Sequence, residues 1–277
     1  LSSPTVLLIC AFAVMLLAVL TGCAAKTEPA QTEPAQTETA PAEEPAPAEE
    51  AEPAEEPAEE PAEESAAVTL TDMTGREITL DAPAERVVAL TASDCEILYA
   101  LGAGDLLVGR GKYCDYPESI SALPVVQSGA ETNIEEILAL DPQVVLMSDM
   151  SQTEEQAKLL EQNGVKVVIS DANDIAGVYT AIRMIGALMA KDDAAEALIG
   201  DMQATFDEIA AKSEKSGKTI YFEVSPLQWG LWTAGSGTFM DELATMCGVT
   251  NAFADISGWQ SVSEEQVIER SPDYIVS

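Results

Sequence analysis

Histidine is absent from all 277 residues. That removes the commonest general base near neutral pH, and with it the Ser-His-Asp and Cys-His arrangements. It also removes zinc sites built on three imidazoles. Positive charge is nearly as scarce. Only 13 lysines and arginines stand against 48 acids, for a net charge of −35. A phosphate-backbone binder needs a basic face, so the composition argues against nucleic acid as a partner. A glycine-rich phosphate loop is missing too, because "GAGDLLVG" follows a helical pattern instead of opening one. These absences make an enzyme the weaker reading, and no resident cofactor or metal site is expected.

No apolar run is long enough for an ordinary membrane span. The run at 6–20, "VLLICAFAVMLLAVL", falls short of the ~20 residues a spanning helix needs. It has the length of a signal-peptide core, although the usual basic residues do not precede it and residue 1 is Leu. The natural start is therefore expected to differ from residue 1. "LTGC" at 20–23 resembles the lipobox of bacterial lipoproteins, where the peptide is cut before a cysteine that then carries acyl chains. Residues 1–22 are thus expected to be a lipoprotein signal peptide and Cys23 the lipidation site. The rest is expected to be extracytoplasmic, lipid-anchored at the outer face of the cell membrane. An uncleaved anchor and plain secretion are the alternatives.

Residues 23–67 comprise that cysteine and a tether of almost nothing but Ala, Pro, Glu and Thr, with imperfect "PAEE" repeats. Such a segment buries too little apolar surface to offset chain entropy, so disorder is expected. Proline and like charge extend it, to on the order of 100 Å. The tether holds 14 glutamates and one lysine, which leaves 34 acids against 12 bases in the remainder.

That remainder alternates strand and helix. "VTLTD" and "REITLD" around "MTG" read as a hairpin. "RVVAL", "LLVG", "PVVQSG", "QVVLMS" and "VKVVIS" read as strands. Between them "SDCEILYALG", "NIEEILAL" and "TEEQAKLLEQNG" read as helices. The alternation predicts a parallel sheet covered on both faces. A region at 174–213 reads as one or two helices, a long one crossing between lobes, with no proline in it. The alternation then resumes with "TIYFEVS", "TFMDELATMCG", "SEEQVIER" and "YIVS". The expected lobes are 68–173 and 214–277.

The second half repeats the first. "NIEEILALDPQVVL" at 133–146 matches "SEEQVIERSPDYIV" at 263–276, setting Glu135 against Glu265 and Pro142 against Pro272. "CEILYALG" at 95–102 matches "DELATMCG" at 241–248 more weakly. Two matches in one order predict two similar α/β lobes. They also lead us to expect a second lobe short of at least one helix–strand unit at its end.

The lines "RVVALTASDCEILYALGAGDLLVG", "YCDYPESISALPVVQSG", "NIEEILALDPQVVL", "GTFMDELATMCGVTNAF" and "WQSVSEEQVIERSPDYIV" carry a resemblance over 68–277. They resemble solute-binding proteins of the family that delivers cobalamin, haem or ferric siderophores to ABC importers. The resemblance implies two Rossmann-like lobes joined by a rigid helix, with the ligand in the cleft between them. The implied partners are an ABC permease with its ATPase and a small-molecule ligand, met by a monomer. "CDYPESISALPVV" and "WQSVSEEQVIERSP" resemble cobalamin binders most closely.

Ligands of such folds sit at the carboxyl ends of the strands. The corresponding loops are 91–94, 112–117, 127–133, 148–153, 226–238 and 257–260. They hold Tyr113, Tyr116, Ser128, Trp229, Trp232 and Trp259, which makes these the candidate ligand residues. Aromatic faces bury large area at low entropy cost and suit a flat, partly apolar ligand. Core or hinge packing is the competing role, above all for Tyr116 and Trp232. The loops are poor in arginine, the usual grip on an anionic siderophore, and this tilts the ligand toward a corrinoid. For haem, Tyr113 or Met150 is a candidate axial ligand. Glu135 and Glu265 sit in first helical turns, where acids favour the helix dipole. Asn133 and Ser263 are credible N-caps there, with Glu136 and Gln266 at the capping-box position. In the family an acid from each lobe docks into the permease, and the resemblance puts that role on Glu135 and Glu265.

Five cysteines remain to be placed. Cys10 lies in the leader and Cys23 at the lipid site. Cys95 and Cys247 are expected to be buried in helices, and no disulfide framework is expected. Cys114 lies in "GRGKYCDYP" with no partner set for a nucleophile, and a Cys–Asp pair is too few ligands for a closed metal site. Asp115 is expected to hold that loop and Tyr113 to face the ligand. A surface adhesin and a metal-ion receptor are the rival functions.

Overall fold

The computed structural model describes residues 66–148, 152–225 and 227–277. The leader, Cys23, the tether through residue 65 and Met150 lie outside these. The first described elements are β1 (Val68–Thr71) and β2 (Glu77–Leu80), an antiparallel hairpin with Val68 opposite Leu80. Its turn is closed by Asp72. One carboxylate oxygen accepts the backbone N–H groups of Thr74 and Arg76, each at 3.0 Å. The other accepts the Ile169 N–H at 3.2 Å, which pins the turn to the main sheet.

That sheet is built from β3 (Val87–Ala89), α1 (Ala92–Ala100), β4 (Leu107–Gly111), β5 (Val125–Val126), α2 (Ile134–Leu138), β6 (Val144–Met147), α3 (Glu154–Gln162) and β7 (Lys166–Ile169). Strand order is β5-β4-β3-β6-β7, and every pair is parallel. The strands read as unbroken Val/Leu/Ile runs because both faces are covered. Their alternation serves two cores. Val87, Ala89, Val144 and Leu146 pack with Leu98 of α1 on one face. Val88, Val145, Met147 and Val167 pack with Ile137 and Leu160 on the other. Each fully buried residue of this size contributes about 1.5–3 kcal/mol, which outweighs the weak helix and strand propensities of such short elements.

The helical region is two helices, α4 (Ile175–Leu188) and α5 (Asp192–Lys212). The break falls at Ala190, which adopts a left-handed φ of 51°. Gly186 lies inside α4. A Cβ there would stand 2.8 Å from the Ala195 Cβ, so this glycine lets the two helices approach closely. Ile182 and Ile185 of α4 and Ile199 of α5 join the first core, and α5 goes on to contact α6 (Phe239–Met246) of the second lobe.

The remaining elements are β8 (Thr219–Phe222), β9 (Trp232–Ala234), β10 (Thr250–Asn251), β11 (Trp259–Ser261), α7 (Glu264–Arg270) and β12 (Tyr274–Val276). A parallel sheet of order β10-β8-β12 stands beside an antiparallel β9–β11 ladder. The ladder corrects the expectation that 226–238 and 257–260 are loops throughout. It is three residues long and pairs segments far apart in sequence, so it leaves no alternating pattern to read. All described residues fall within one unit, Glu59–Ser277. Among the described residues no helix is long and apolar enough to cross a membrane.

The internal repeat has a structural counterpart. Asn133 and Ser263 cap α2 and α7 through their side chains. Gln266 completes a capping box on Ser263, whereas Glu136 turns away and accepts the Gln127 N–H at 3.0 Å. Helices α1 and α6 both start at a threonine cap, Thr91 and Thr238, and both run into a left-handed glycine, Gly102 and Gly248.

Candidate functional site

The loop after β4 is shaped from beneath. Gly111 tolerates no side chain, since a Cβ there would meet the Leu90 carbonyl oxygen at 2.3 Å. The Arg110 guanidinium reaches forward and donates to the Cys114 carbonyl at 2.6 Å. The Lys112 N–H donates to Ser128 Oγ at 3.3 Å, joining this loop to the one after β5. Cys114 is fully buried, while Tyr113 and Tyr116 on either side are 72% and 60% exposed. The Lys112 ammonium lies 5.4 Å from the Tyr113 ring centroid. The Tyr116–Pro117 peptide is cis. Arginine and a buried cysteine thus hold the backbone while two aromatic rings face outward. No hydrogen bond of the Asp115 side chain accompanies this among the described residues, so Arg110 does the work expected of Asp115.

On the second lobe, Trp229 ends a short 3-10 turn and is 76% exposed. Trp232 opens β9 and is also exposed. Trp259 opens β11 and is half-buried. Its ring packs against Phe239 at 5.8 Å, and its indole N–H donates to Asn173 Oδ1 at 3.3 Å. Asn173 belongs to the segment leading from β7 into α4, so Trp259 sits at the junction of the lobes. Tyr113 and Ser128 share one pair of linked loops, and Trp232 and Trp259 share one ladder. Among the described residues no hydrogen bond or ring contact joins the first group to the second.

Glu135 and Glu265 are both exposed in first helical turns. The Glu265 carboxyl is held below the usual range by its own backbone N–H and by the Ser263 side chain. Of the cysteines, Cys95 and Cys114 are buried, but Cys247 is exposed, against expectation. It sits at the C-cap of α6, past the last residue whose side chain the helix turns inward.

One group was not anticipated as buried. Asp94 is fully enclosed at the carboxyl end of the sheet, where its Oδ2 accepts the Thr91 hydroxyl at 2.5 Å. Burial pushes its carboxyl up to about 6, against hydrogen bonds from Thr91 and Ser170 that pull it down, and the negative charge of Asp171 adds to the rise. The readable signal is Thr91 three residues ahead, the N-cap spacing. Nearby, Ser148 Oγ donates to Asp171 Oδ1 at 3.2 Å. A cavity of about 330 Å³ opens beside Met147, Ser148, Gln152 and Ile169. Among the described residues no group of three or more Cys, Asp and Glu side chains could hold a metal ion.

All five arginines of the chain are engaged internally. Arg76 pairs with Asp72 and Glu161, Arg183 with Glu196, and Arg270 with Asp255. Arg86 donates to the Leu140 and Asp141 carbonyls, and Arg110 to that of Cys114.

Comparison with known proteins extends the picture. An uncharacterized ABC transporter substrate-binding lipoprotein of Bacillus subtilis is 32% identical over 217 residues, covering 76% of this chain and 68% of the relative. A vitamin B12-binding protein of Salmonella choleraesuis is 31% identical over 198 residues, covering 70% of this chain and 72% of the relative. Among solved structures, a possible iron-binding (periplasmic solute-binding) protein from Staphylococcus epidermidis superposes with a TM-score of 0.59 at 30% identity, covering 69% of this chain and 76% of that one. The family model for periplasmic binding proteins matches residues 87–277. With two parallel α/β sheets, the repeated capped helices and these relatives in hand, the chain belongs to the periplasmic binding protein family.

Proposed function

We propose that this chain is the extracytoplasmic receptor of an ABC importer and that its cargo is a weakly charged, corrinoid-like macrocycle. The observation that carries the choice of cargo is the internal engagement of every arginine. An anionic ferric siderophore calls for bidentate guanidinium contacts, and here each guanidinium already has a partner. What the surface displays is Tyr113, Tyr116, Trp229 and Trp232, all exposed. Rings of this kind grip a broad ligand through area more than charge. The vitamin B12-binding relative agrees with this reading. On it, Ser128 and Trp259 border the same cleft, Cys23 anchors the chain to the membrane, and the monomer docks on a permease–ATPase complex through Glu135 and Glu265.

The exposed Tyr113 phenol favours a second cargo, an iron complex or haem, to whose iron it would supply an oxygen ligand. Titration of the purified chain with cyanocobalamin, haemin and a ferric siderophore, followed by tryptophan quenching, separates the readings. Saturable quenching by cyanocobalamin alone is expected. Tight binding of haemin with no response to any corrinoid would transfer the assignment to the second cargo.

A further inference from the structure

The Cys95 and Cys114 side chains are used by neither cargo binding nor docking, yet the fold brings them together. Cys95 lies on α1 and Cys114 on the loop after β4, and the parallel pairing of β3 with β4 sets those segments side by side. Both side chains are fully buried free thiols. Their sulfurs stand 3.9 and 3.8 Å from one acceptor, the Ala89 carbonyl oxygen. We propose that Cys95 and Cys114 form an oxidisable pair that closes into a reversible intramolecular disulfide and ties α1 to the loop carrying Tyr113.

The direction of reaction follows from the surroundings. Cys114 is flanked by exposed Tyr113, Asp115 and Tyr116, so displacement of its short loop reaches solvent first. The neighbouring Cys95 thiol also holds the Cys114 thiol below the usual range, despite burial. The neighbouring Cys114 and burial push the Cys95 thiol up. Cys114, as thiolate, attacks a low-molecular-weight disulfide, forming a mixed disulfide and releasing one thiolate. Cys95 then loses its proton to solvent and attacks the Cys114 sulfur, releasing the second thiolate. The protein loses two electrons and two protons, and the oxidant becomes two thiols. Closure requires the sulfurs to approach to ~2.05 Å. A disulfide so formed persists in the oxidising space outside the cytoplasm.

The test uses the full, unmutated chain, so the folding of variants does not enter. Reduced protein is incubated with glutathione disulfide, quenched with iodoacetamide and digested with trypsin. Cleavage after Arg86, Arg110, Lys112 and Lys158 places Cys95 in peptide 87–110 and Cys114 in peptide 113–158. The expected product is these two peptides cross-linked, two hydrogens lighter than their sum, and separated again by dithiothreitol. A thermal unfolding midpoint several degrees higher in the oxidised form accompanies it. Recovery of both peptides alkylated, their recovery as separate glutathione adducts, or linkage of either to Cys247 would overturn the proposal.

Discussion

The Trp259 indole N–H and the Asn173 side-chain oxygen meet at 3.3 Å across the junction of the two lobes. The contact is one of a set. The Asn173 carbonyl accepts the Phe239 N–H at 2.9 Å, and the Glu242 carboxylate accepts the Ile175 N–H at 2.8 Å. The start of α6 and the start of α4 are therefore joined by two hydrogen bonds, and Trp259 of β11 adds a third to the same segment. Trp259, packed on Phe239, covers this seam. A residue that looks like a ligand-stacking tryptophan in the sequence has a joining role in the fold.

Asn173→Ala removes the side-chain acceptor but keeps the carbonyl, and Trp259→Phe removes the donor but keeps a ring against Phe239. Each single variant should lose about 0.5–1.5 kcal/mol in urea unfolding, toward the low end because the contact is partly exposed. The double variant should lose scarcely more than either single one, since both break the same bond. Additive losses would show that the two residues act separately.

Asp94 makes stability depend on pH. Its folded carboxyl is raised to about 6 from an ordinary 3.8, so between those values the folded state binds more protons than the unfolded one. Stability then falls as pH rises through that window. Below it both states are protonated and the effect vanishes; above it the cost is complete, on the order of 3 kcal/mol. Asp94→Asn, which keeps an acceptor for Thr91, should be more stable than the parent at pH 7 and nearly equal to it at pH 4. Urea unfolding at both values checks this, and a constant difference between the proteins would refute it.

Gly186→Ala sets two effects against each other. Alanine gains about 0.8–1 kcal/mol of helix propensity over glycine. Its Cβ, however, would lie 2.8 Å from that of Ala195 in the packed α4–α5 seam. Overpacking of this kind costs typically about 1–3 kcal/mol, so the variant is expected to be less stable, with a lower unfolding midpoint. A stabilised variant would mean that the seam yields easily.

Much of the fold was legible because its strands are buried on both faces. Unbroken runs such as Val144–Met147 announce a parallel sheet, and glycines such as Gly102 announce helix ends. The two-core alternation was not legible, since Val87 and Val88 look identical in sequence while packing on opposite faces. Capping chemistry was half legible. Gln266 reaches back to Ser263, but Glu136 had a tertiary acceptor role that no local spacing reveals. Of the candidate site, the exposure of Tyr113 and Trp229 was readable from their loops. The burial of Asp94 and the meeting of Cys95 with Cys114 were not, because both depend on which strands become neighbours.

Glu135 and Glu265 supply the last prediction. Both side chains project from capped first turns of repeated helices and are exposed. Substitution by lysine places a positive charge at a helix N-terminus, which costs each helix only about 0.3–1 kcal/mol. The fold should therefore survive Glu135→Lys together with Glu265→Lys, and cargo affinity should stay within about twofold, since 0.4 kcal/mol is a factor of two. On the proposed docking role, uptake by cells carrying the matching permease should nonetheless be lost, because both docking residues would carry the wrong sign. Either single variant should retain part of the uptake. Equal losses of uptake and cargo affinity would place these acids at the ligand instead of the permease.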